Sequence, residues 1–266
     1  QLRLTPSPVV NLLVRGALLR AAQRTGVVVF VGTCLGNHHE LLVGDPRQRL
    51  SKFMEEFLKE LSHRLNRMRG TQHSNFPVRF KSAEIADRRA GESAIAEILC
   101  NPVRAGLVYN VDDWPGFSTL AAHRRSAPVL TSAWPSRRQA DDLDEDAPKV
   151  ASTDSMQQVQ TILGVPPFWP DLTPEEAQAR ICQLVDAEQA RLQAEIDRKH
   201  ERVIGPNRIL AEHWRDRPED IEWREVQPCK SSDSTWDAEY RKWYEQQTDR
   251  YKHAAKRWRR FGEWGE

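Results

Sequence analysis

The sequence predicts an α+β protein with its sheet in the first half of the chain and mostly helices in the second half. Residues 27–35 and 38–43 are apolar runs separated by Gly36-Asn37, which is typical of two strands joined by a turn. Apolar residues recur at helical spacing on both sides of this pair. Two long segments after residue 165 also have helical spacing. These patterns indicate a β-hairpin packed with helices, followed by a helical extension.

An N-terminal helix is predicted at residues 6–25. Ser7 offers an N-cap, Pro8 suits the first helical turn, and Gly26 ends the pattern. The β-branched apolar run that follows is typical of a buried strand, so the hairpin is expected at the centre of a sheet.

Three more elements are predicted before residue 125. Residues 45–70 have apolar side chains along one helical face and end at a glycine, which predicts an amphipathic helix. Residues 78–85 alternate in hydrophobicity, as a strand does. Residues 88–100 are predicted to form a helix that ends before Pro102, because the residue preceding a proline disfavours the α conformation.

The predicted organisation has three parts. Residues 1–125 are expected to form one α+β domain. Residues 126–165 are rich in Pro, Ser, Asp and Arg with little apolar periodicity, which is typical of a flexible linker. Residues 166–266 are expected to form a helical C-terminal extension. It contains one helix opened by a capping box at Thr173 and another at 234–260 with a basic end.

Composition and charge exclude some classes of protein. No apolar stretch approaches the roughly 20 residues needed to span a membrane, so no membrane partner is expected. The four cysteines lie far apart without zinc-site spacing, which favours a reducing, cytoplasmic location. Residues 1–125 contain 18 Lys and Arg against 11 Asp and Glu. This basic half favours a polyanionic partner, although an ordinary solvated surface explains it equally well.

Three side chains that can bind metals, His38, His39 and Glu40, stand at the start of the second strand. Alternate residues of a strand share a face, so His38 pairs with Glu40 and His39 points the other way. An imidazole and a carboxylate suit Mg²⁺, Mn²⁺ or Zn²⁺, but a third ligand must come from elsewhere. Polar residues at the end of a strand explain the same pattern without a metal.

Five segments occur in an order that a known family shares. In chain order they are G-N-H-H-E-L-L-V, R-L-S-K-F-M-E-E-F, F-P-V-R-F-K-S, L-C-N-P-V-R-A-G-L-V and D-D-W-P-G-F-S. Residues 1–120 thereby resemble the REP-associated tyrosine transposases, a branch of the single-tyrosine HUH transposases. The segment R-V-I-G-P at 202–206 resembles a V-L-G segment in the C-terminal extension of longer members.

The resemblance implies a fold, a partner and a chemistry. The fold would be a ferredoxin-like antiparallel sheet with helices on one face. The partner would be single-stranded DNA folded into a hairpin, bound by a monomer or a homodimer. The reaction would be a transesterification assisted by Mg²⁺ or Mn²⁺. In it, a tyrosine attacks a backbone phosphate, stays attached to the 5′ side and leaves a free 3′-OH.

The family's motif positions fall on four residues of this chain. His38 keeps the first metal ligand, and Glu40 replaces the second histidine of the His-x-His motif. Glu97 takes the catalytic position of the nucleophilic tyrosine and cannot form the phosphotyrosine link. Asn101, one turn later on the same helical face, takes the position of the third metal ligand. The resemblance thus implies a transposase-like protein with impaired strand transfer.

Three alternatives stay open. The loss of the tyrosine favours a domesticated DNA-binding protein without catalytic activity. With Glu97 as a carboxyl ligand, or as a base for a metal-bound water, the chain would be a metal-dependent nuclease without a covalent intermediate. A remnant of an insertion sequence would have no selected function.

Five cationic residues are predicted to contact DNA phosphates. Arg79 and Lys81 share one face of the predicted 78–85 strand. Arg104 follows the N-P-V segment, and Lys256 and Arg257 belong to the basic end of the last helix. A solvated surface is the alternative for each.

Overall fold

The computed structural model has the mixed helix and strand content of an α+β protein, which confirms the predicted class. It describes residues 4–72, 75–76, 80–125, 128–136, 138–146, 150, 153–215 and 227–261. The helices are α1 Pro8–Thr25, α2 Leu50–Arg69, α3 Arg88–Arg104, α4 Leu120–Arg124, α5 Pro174–Lys199, α6 Pro206–Ala211 and α7 Ser234–Phe261. The strands are β1 Val28–Cys34, β2 His39–Gly44, β3 Glu84–Ile85, β4 Val129–Trp134, β5 Gln157–Ile162 and β6 Cys229–Lys230.

The chain folds into two compact units. The first contains Gln1–Arg79 and Ala94–Ile221, and the second contains Phe80–Ser93 and Glu222–Glu266. This division differs from the predicted boundaries after residues 125 and 165. The predicted helical extension is shared between the units, because α5 and α6 belong to the first and α7 to the second.

The N-terminal helix α1 lies in the core of the first unit. The Ser7 hydroxyl accepts a hydrogen bond from the backbone N–H of Val10, and Gly26 ends the helix with a φ of 77°. Both caps are as predicted. Most side chains of α1 are buried, as expected for a helix that is apolar on nearly every side.

The predicted hairpin is confirmed, but its predicted place at the centre of a sheet is wrong, because β1 and β2 form a sheet of two strands among the described residues. The other edge of β1 has separate backbone hydrogen bonds. β1 pairs antiparallel with β2, with Cys34 opposite His39. On the other edge, the N–H of Cys34 donates to the carbonyl oxygen of Phe117 at 2.9 Å. The N–H of Thr119 donates to the carbonyl oxygen of Gly32, also at 2.9 Å. β1 therefore has backbone partners on its two sides.

The second helix begins later than the sequence predicts. The side chain of Asp45 accepts hydrogen bonds from the backbone N–H groups of Arg49 and Leu50, at 2.8 and 2.6 Å. This cap places the first turn of α2 at Leu50, and Gly70 ends the helix in the left-handed conformation as predicted. The predicted apolar face is buried and includes Phe53, Met54, Phe57, Leu61 and Leu65.

The predicted strand at 78–85 is wrong over most of its length. Residues 80–83 are not in a strand, and residues 78 and 79 lie outside the described residues. Only Glu84–Ile85 is a strand, and it pairs in parallel with β6 inside the second unit. The partner strand has two residues, so the ladder cannot extend further.

The prediction that α3 ends before Pro102 is also wrong. The helix continues for two residues after this proline. Pro102 removes one backbone donor, but the N–H of Ala105 still donates to the carbonyl oxygen of Asn101 at 2.8 Å. Cys100 and Val103 are at most 1% exposed, and their burial offsets the local cost of the proline.

The predicted flexible linker at 126–165 contains a folded strand pair. β4 and β5 are antiparallel, with Val129 opposite Ile162, and both strands contact α1. The prediction failed because half of the side chains of this pair face solvent, so its composition is polar. The buried side chains of the pair could not be recognised from the sequence, because the burial depends on the contact with α1.

The helix α5 begins as predicted and packs within the first unit. The Thr173 hydroxyl accepts from the N–H of Glu176 at 3.2 Å, and the Glu176 carboxylate accepts from the N–H of Thr173 at 2.8 Å. Trp169, just before this helix, is fully buried. α5 contacts α4, so it is part of the core and not of a separate domain.

The packing of β4 on α1 can be tested at Gly16. A Cβ atom at Gly16 would overlap the ring of Trp134, which is 3% exposed. The guanidinium groups of Arg20 and Arg64 lie over that ring, 5.4 and 4.9 Å from its centroid. We expect Gly16→Ala to lower the free energy of unfolding by about 1–3 kcal/mol, measured by urea denaturation, although alanine favours helices.

Gly36→Ala is the matched control, because no atom lies within 4 Å of the Cβ that it would add. It should leave the free energy of unfolding nearly unchanged. If Gly16→Ala were as stable as the wild type, β4 would not pack on α1 in solution.

Candidate functional site

A group of three polar side chains joins the start of β2 to the C-terminal part of α3. The side-chain nitrogen of Asn101 donates a hydrogen bond to a carboxylate oxygen of Glu40 at 2.8 Å. The same nitrogen lies 3.2 Å from Nε2 of His38. These three residues are here called the polar cluster. The structure thus brings together residues that are 61 and 63 positions apart and that only the resemblance had linked.

The strand alternation predicted for this segment agrees with the structure. The side chains of His38 and Glu40 lie on one face of the chain at the start of β2, where both contact Asn101. The side chain of His39 lies on the other face. The His39 ring meets Phe57 and Phe76 edge-on, with centroid distances of 5.2 and 6.0 Å. Burial lowers the pKa of His39 to about 4, and the neighbouring His38 adds to this effect. His39 is therefore a neutral packing residue.

The hydrogen-bond partners of His38 determine its tautomer. Its Nδ1 lies 2.6 Å from Oδ1 of Asn37, an oxygen that can only accept, so Nδ1 carries the proton. Nε2 is then the acceptor for the Asn101 amide. Burial lowers the pKa of His38, while Glu40 opposes this effect, so the neutral ring is favoured. Sequence reasoning missed Asn37, whose only signal was its place directly before the histidine.

Glu97 occupies the position that the resemblance assigns to a tyrosine. It lies on α3 one helical turn before Asn101, and its side chain is partly exposed. Tyr109 is the nearest tyrosine in sequence, and its hydroxyl donates to Asp197 of α5 at 2.9 Å. This hydrogen bond raises the pKa of the Tyr109 phenol, which makes a phenolate harder to form.

The polar cluster does not present three ligand atoms to Mg²⁺ or Mn²⁺ in this arrangement. The imidazole and the carboxylate both accept from the Asn101 amide nitrogen, and an amide N–H group is a donor that cannot coordinate a cation. Turning the amide over would set its oxygen 2.8 Å from the Glu40 oxygen, a contact that needs a cation or a proton between them. In this arrangement, hydrogen bonds from the Asn101 amide hold the three side chains together.

Within the described ranges, no group of three or more His, Cys, Asp and Glu side chains is placed to hold a metal ion. The polar cluster supplies two side chains of these types and one amide.

The five cations predicted to contact DNA belong to different parts of the molecule. Arg104 forms an ion pair with a glutamate of α5 at 2.7 Å in the first unit. Lys81, Lys256 and Arg257 are exposed and belong to the second unit. Arg79 lies outside the described residues.

Comparisons with protein-family models, with curated proteins and with solved structures found no match to this chain. Across the described parts of the chain, none of the helices combines the length and the apolar character needed to cross a bilayer. The four cysteines are free thiols, and burial raises the pKa of Cys34 and of Cys100 to about 12. These two thiols are therefore poor nucleophiles and poor metal ligands.

Removal of the Asn101 amide should destabilise the first unit. Asn101→Ala leaves the Glu40 carboxylate oxygen and the His38 Nε2 without their donor. We expect the free energy of unfolding to fall by about 1–3 kcal/mol, measured by chemical denaturation, because partly buried acceptors lose a hydrogen bond.

Asn207→Ala is the matched control, because Asn207 is an exposed asparagine on the helix α6. Its free energy of unfolding should equal that of the wild type. Equal stability of Asn101→Ala and Asn207→Ala would show that the polar cluster does not hold β2 and α3 together.

Proposed function

We propose that this chain is a transposase-like protein that binds hairpin single-stranded DNA and whose strand-transfer chemistry is impaired. The observation that carries the proposal is the polar cluster. The ordered motifs assign His38, Glu40 and Asn101 to one site, and these residues do contact one another across the fold. This contact supports the use of the resemblance as a guide to the site.

We also propose a fold, a cellular location and an oligomeric state for this protein. It includes a ferredoxin-like antiparallel sheet with helices on one face, which is supported by the two hydrogen-bonded edges of β1. It also includes a cytoplasmic location, which is supported by the four free cysteines. The protein would act as a monomer or as a homodimer.

The impairment is proposed from the residue at the nucleophile position. In the reaction that the resemblance implies, a phenolate attacks a DNA phosphate while a cation offsets the developing charge. Glu97 offers a carboxylate instead, which repels the phosphate and makes no phosphotyrosine link. Asn101 directs an N–H donor, and not a ligand oxygen, at His38 and Glu40. Both features favour binding without cleavage.

A second candidate is a domesticated DNA-binding protein with no catalytic activity. The Asn101 amide favours it, because a cluster closed by hydrogen bonds would act as a structural support beneath a DNA-binding surface. A metal-dependent nuclease without a covalent intermediate would need Glu97 beside a bound cation. The wild-type gels described next separate the nuclease from the two DNA-binding candidates, and the Glu97→Tyr variant separates those two.

The experiment combines a native gel and a denaturing gel. The whole chain is incubated with end-labelled single-stranded hairpin DNA in Mg²⁺, in Mn²⁺ or in EDTA. We expect the wild type to retard the hairpin on the native gel and to give neither cleavage nor a covalent adduct on the denaturing gel. The reason is that no phenol stands at position 97.

Two variants at this position sharpen the result. Glu97→Tyr restores the phenol, and Glu97→Phe is the matched control with the ring but without the hydroxyl. A metal-dependent adduct with Glu97→Tyr, absent with Glu97→Phe, would assign the impairment to the nucleophile. Cleavage by the wild type without an adduct would replace the proposal with the nuclease, and a hairpin that no variant retards would reject hairpin binding.

A further inference from the structure

The second unit carries a group of aromatic rings on α7. The ring centroid of Tyr240 lies 5.1 Å from that of Trp236, 5.4 Å from that of Trp243 and 6.4 Å from that of Tyr244. These four residues are here called the aromatic cluster. Burial raises the pKa of the Tyr240 phenol, and a hydrogen bond to Glu84 raises it further, so the central ring is fixed and neutral.

The three outer rings of the aromatic cluster are open to solvent. Trp236 is 39% exposed, Trp243 51% and Tyr244 44%. Tyr251 lies seven residues beyond Tyr244, hence on the same helical face, and is 62% exposed. Large rings gathered in contact with water mark binding surfaces, because proteins rarely leave such groups uncovered without a function.

The same helix ends in a strongly basic segment. Residues 250–261 contain six Lys and Arg and no Asp or Glu. Lys256 and Arg257 are exposed, and Lys252 forms an exposed ion pair with Asp249 at 3.2 Å, which water screens. Such a segment attracts a polyanion.

Unpaired DNA matches both features of α7. The bases of a duplex stack on one another and are not available to an exposed ring. The bases of a single strand can stack on Trp and Tyr rings while the phosphates contact Lys and Arg. A partner with free bases and a charged backbone therefore fits the helix better than duplex DNA.

A second copy of the chain matches α7 less well. A parallel pair of α7 helices would bring the two basic segments together. An antiparallel pair would set the basic segment against residues 234–249, which contain four Asp and Glu against two Lys and Arg. One of these acids, Asp237, already pairs with Arg241. Most of the positive charge would stay unmatched.

We propose that α7 is a binding surface for unpaired single-stranded DNA. Bases stack on Trp243, Tyr244 and Tyr251, and phosphates contact Lys256 and Arg257, which lie one to two turns beyond Tyr251 on other faces of the helix. This surface goes beyond the proposed hairpin binding, because it takes a strand that is not paired. It also does not depend on the polar cluster, which belongs to the first unit.

Fluorescence anisotropy of the whole chain with a labelled oligo(dT) of about 20 nucleotides tests the surface, because this probe forms no hairpin. The double variant Trp243→Ala/Tyr244→Ala should weaken binding by about fivefold or more for each ring. Trp243→Phe/Tyr244→Phe keeps both rings and should restore most of the affinity. Gln246→Ala, at an exposed position of α7, is the control and should bind as the wild type does.

The salt dependence of the affinity for oligo(dT) tests the phosphate contacts. Lys256→Gln/Arg257→Gln removes two positive charges, which should make the dependence of log affinity on log salt shallower by about 1.4. An unchanged slope would overturn the assignment of these two residues. Circular dichroism of each variant checks that α7 is still helical.

A wild type that does not bind oligo(dT), or an alanine variant that binds it as tightly as the wild type, would overturn the proposal. The proposal would also be overturned if the wild type were a dimer and the alanine variant were a monomer with unchanged affinity for oligo(dT). The rings would then pack against a second copy of the chain.

Binding to a hairpin with blunt ends, measured beside binding to oligo(dT), distinguishes this proposal from the proposed function. If the alanine variant loses oligo(dT) but still retards the hairpin, both proposals stand. If no variant retards the hairpin while oligo(dT) binding still needs the rings, the hairpin proposal fails and the α7 surface stands.

Discussion

The first unit depends on covering a helix that has almost no polar face. α1 buries side chains around most of its circumference, so other elements have to pack against several of its sides. α2 covers one side, and β4 and β5 cover another. This requirement explains why residues 129–162 contain a folded strand pair despite a polar composition. The apolar surface that the pair removes from water offsets the conformational entropy lost by ordering it.

The polar cluster adds a second, directional constraint to the same unit. A single amide nitrogen on α3 donates to acceptors at the start of β2, so the helix has to keep its α conformation as far as Asn101. In a metal site, a cation would neutralise the Glu40 carboxylate and leave positions open for a phosphate. Here the neutral Asn101 amide donates a hydrogen bond to this carboxylate, which keeps its negative charge. The three residues of the polar cluster therefore join β2 to α3. The proposed loss of strand transfer involves this cluster as well as Glu97.

Elements with local signals could be predicted from the sequence. Ser7, Gly26 and Thr173 placed the ends of helices, and alternation at the start of β2 separated His39 from its neighbours. Features that depend on tertiary contact could not be predicted, such as the β4–β5 pair and the last turn of α3. Motif order brought the residues of the polar cluster together, but a sequence does not say which atom of Asn101 faces Glu40. Helical spacing likewise predicted α7, but not that several of its aromatic rings are exposed.

Thermal unfolding in EDTA and in Mn²⁺ tests most directly whether hydrogen bonds alone close the polar cluster. The wild type should have the same Tm in both, because the Asn101 amide leaves no ligand set for the cation. In Asn101→Asp a third ligand oxygen replaces the donor, so Mn²⁺ should raise the Tm, and adding His38→Ala should remove this rise. A wild-type Tm that rises to saturation with Mn²⁺, and no longer does so in His38→Ala, would show that the native cluster binds a cation and would contradict the metal-free cluster.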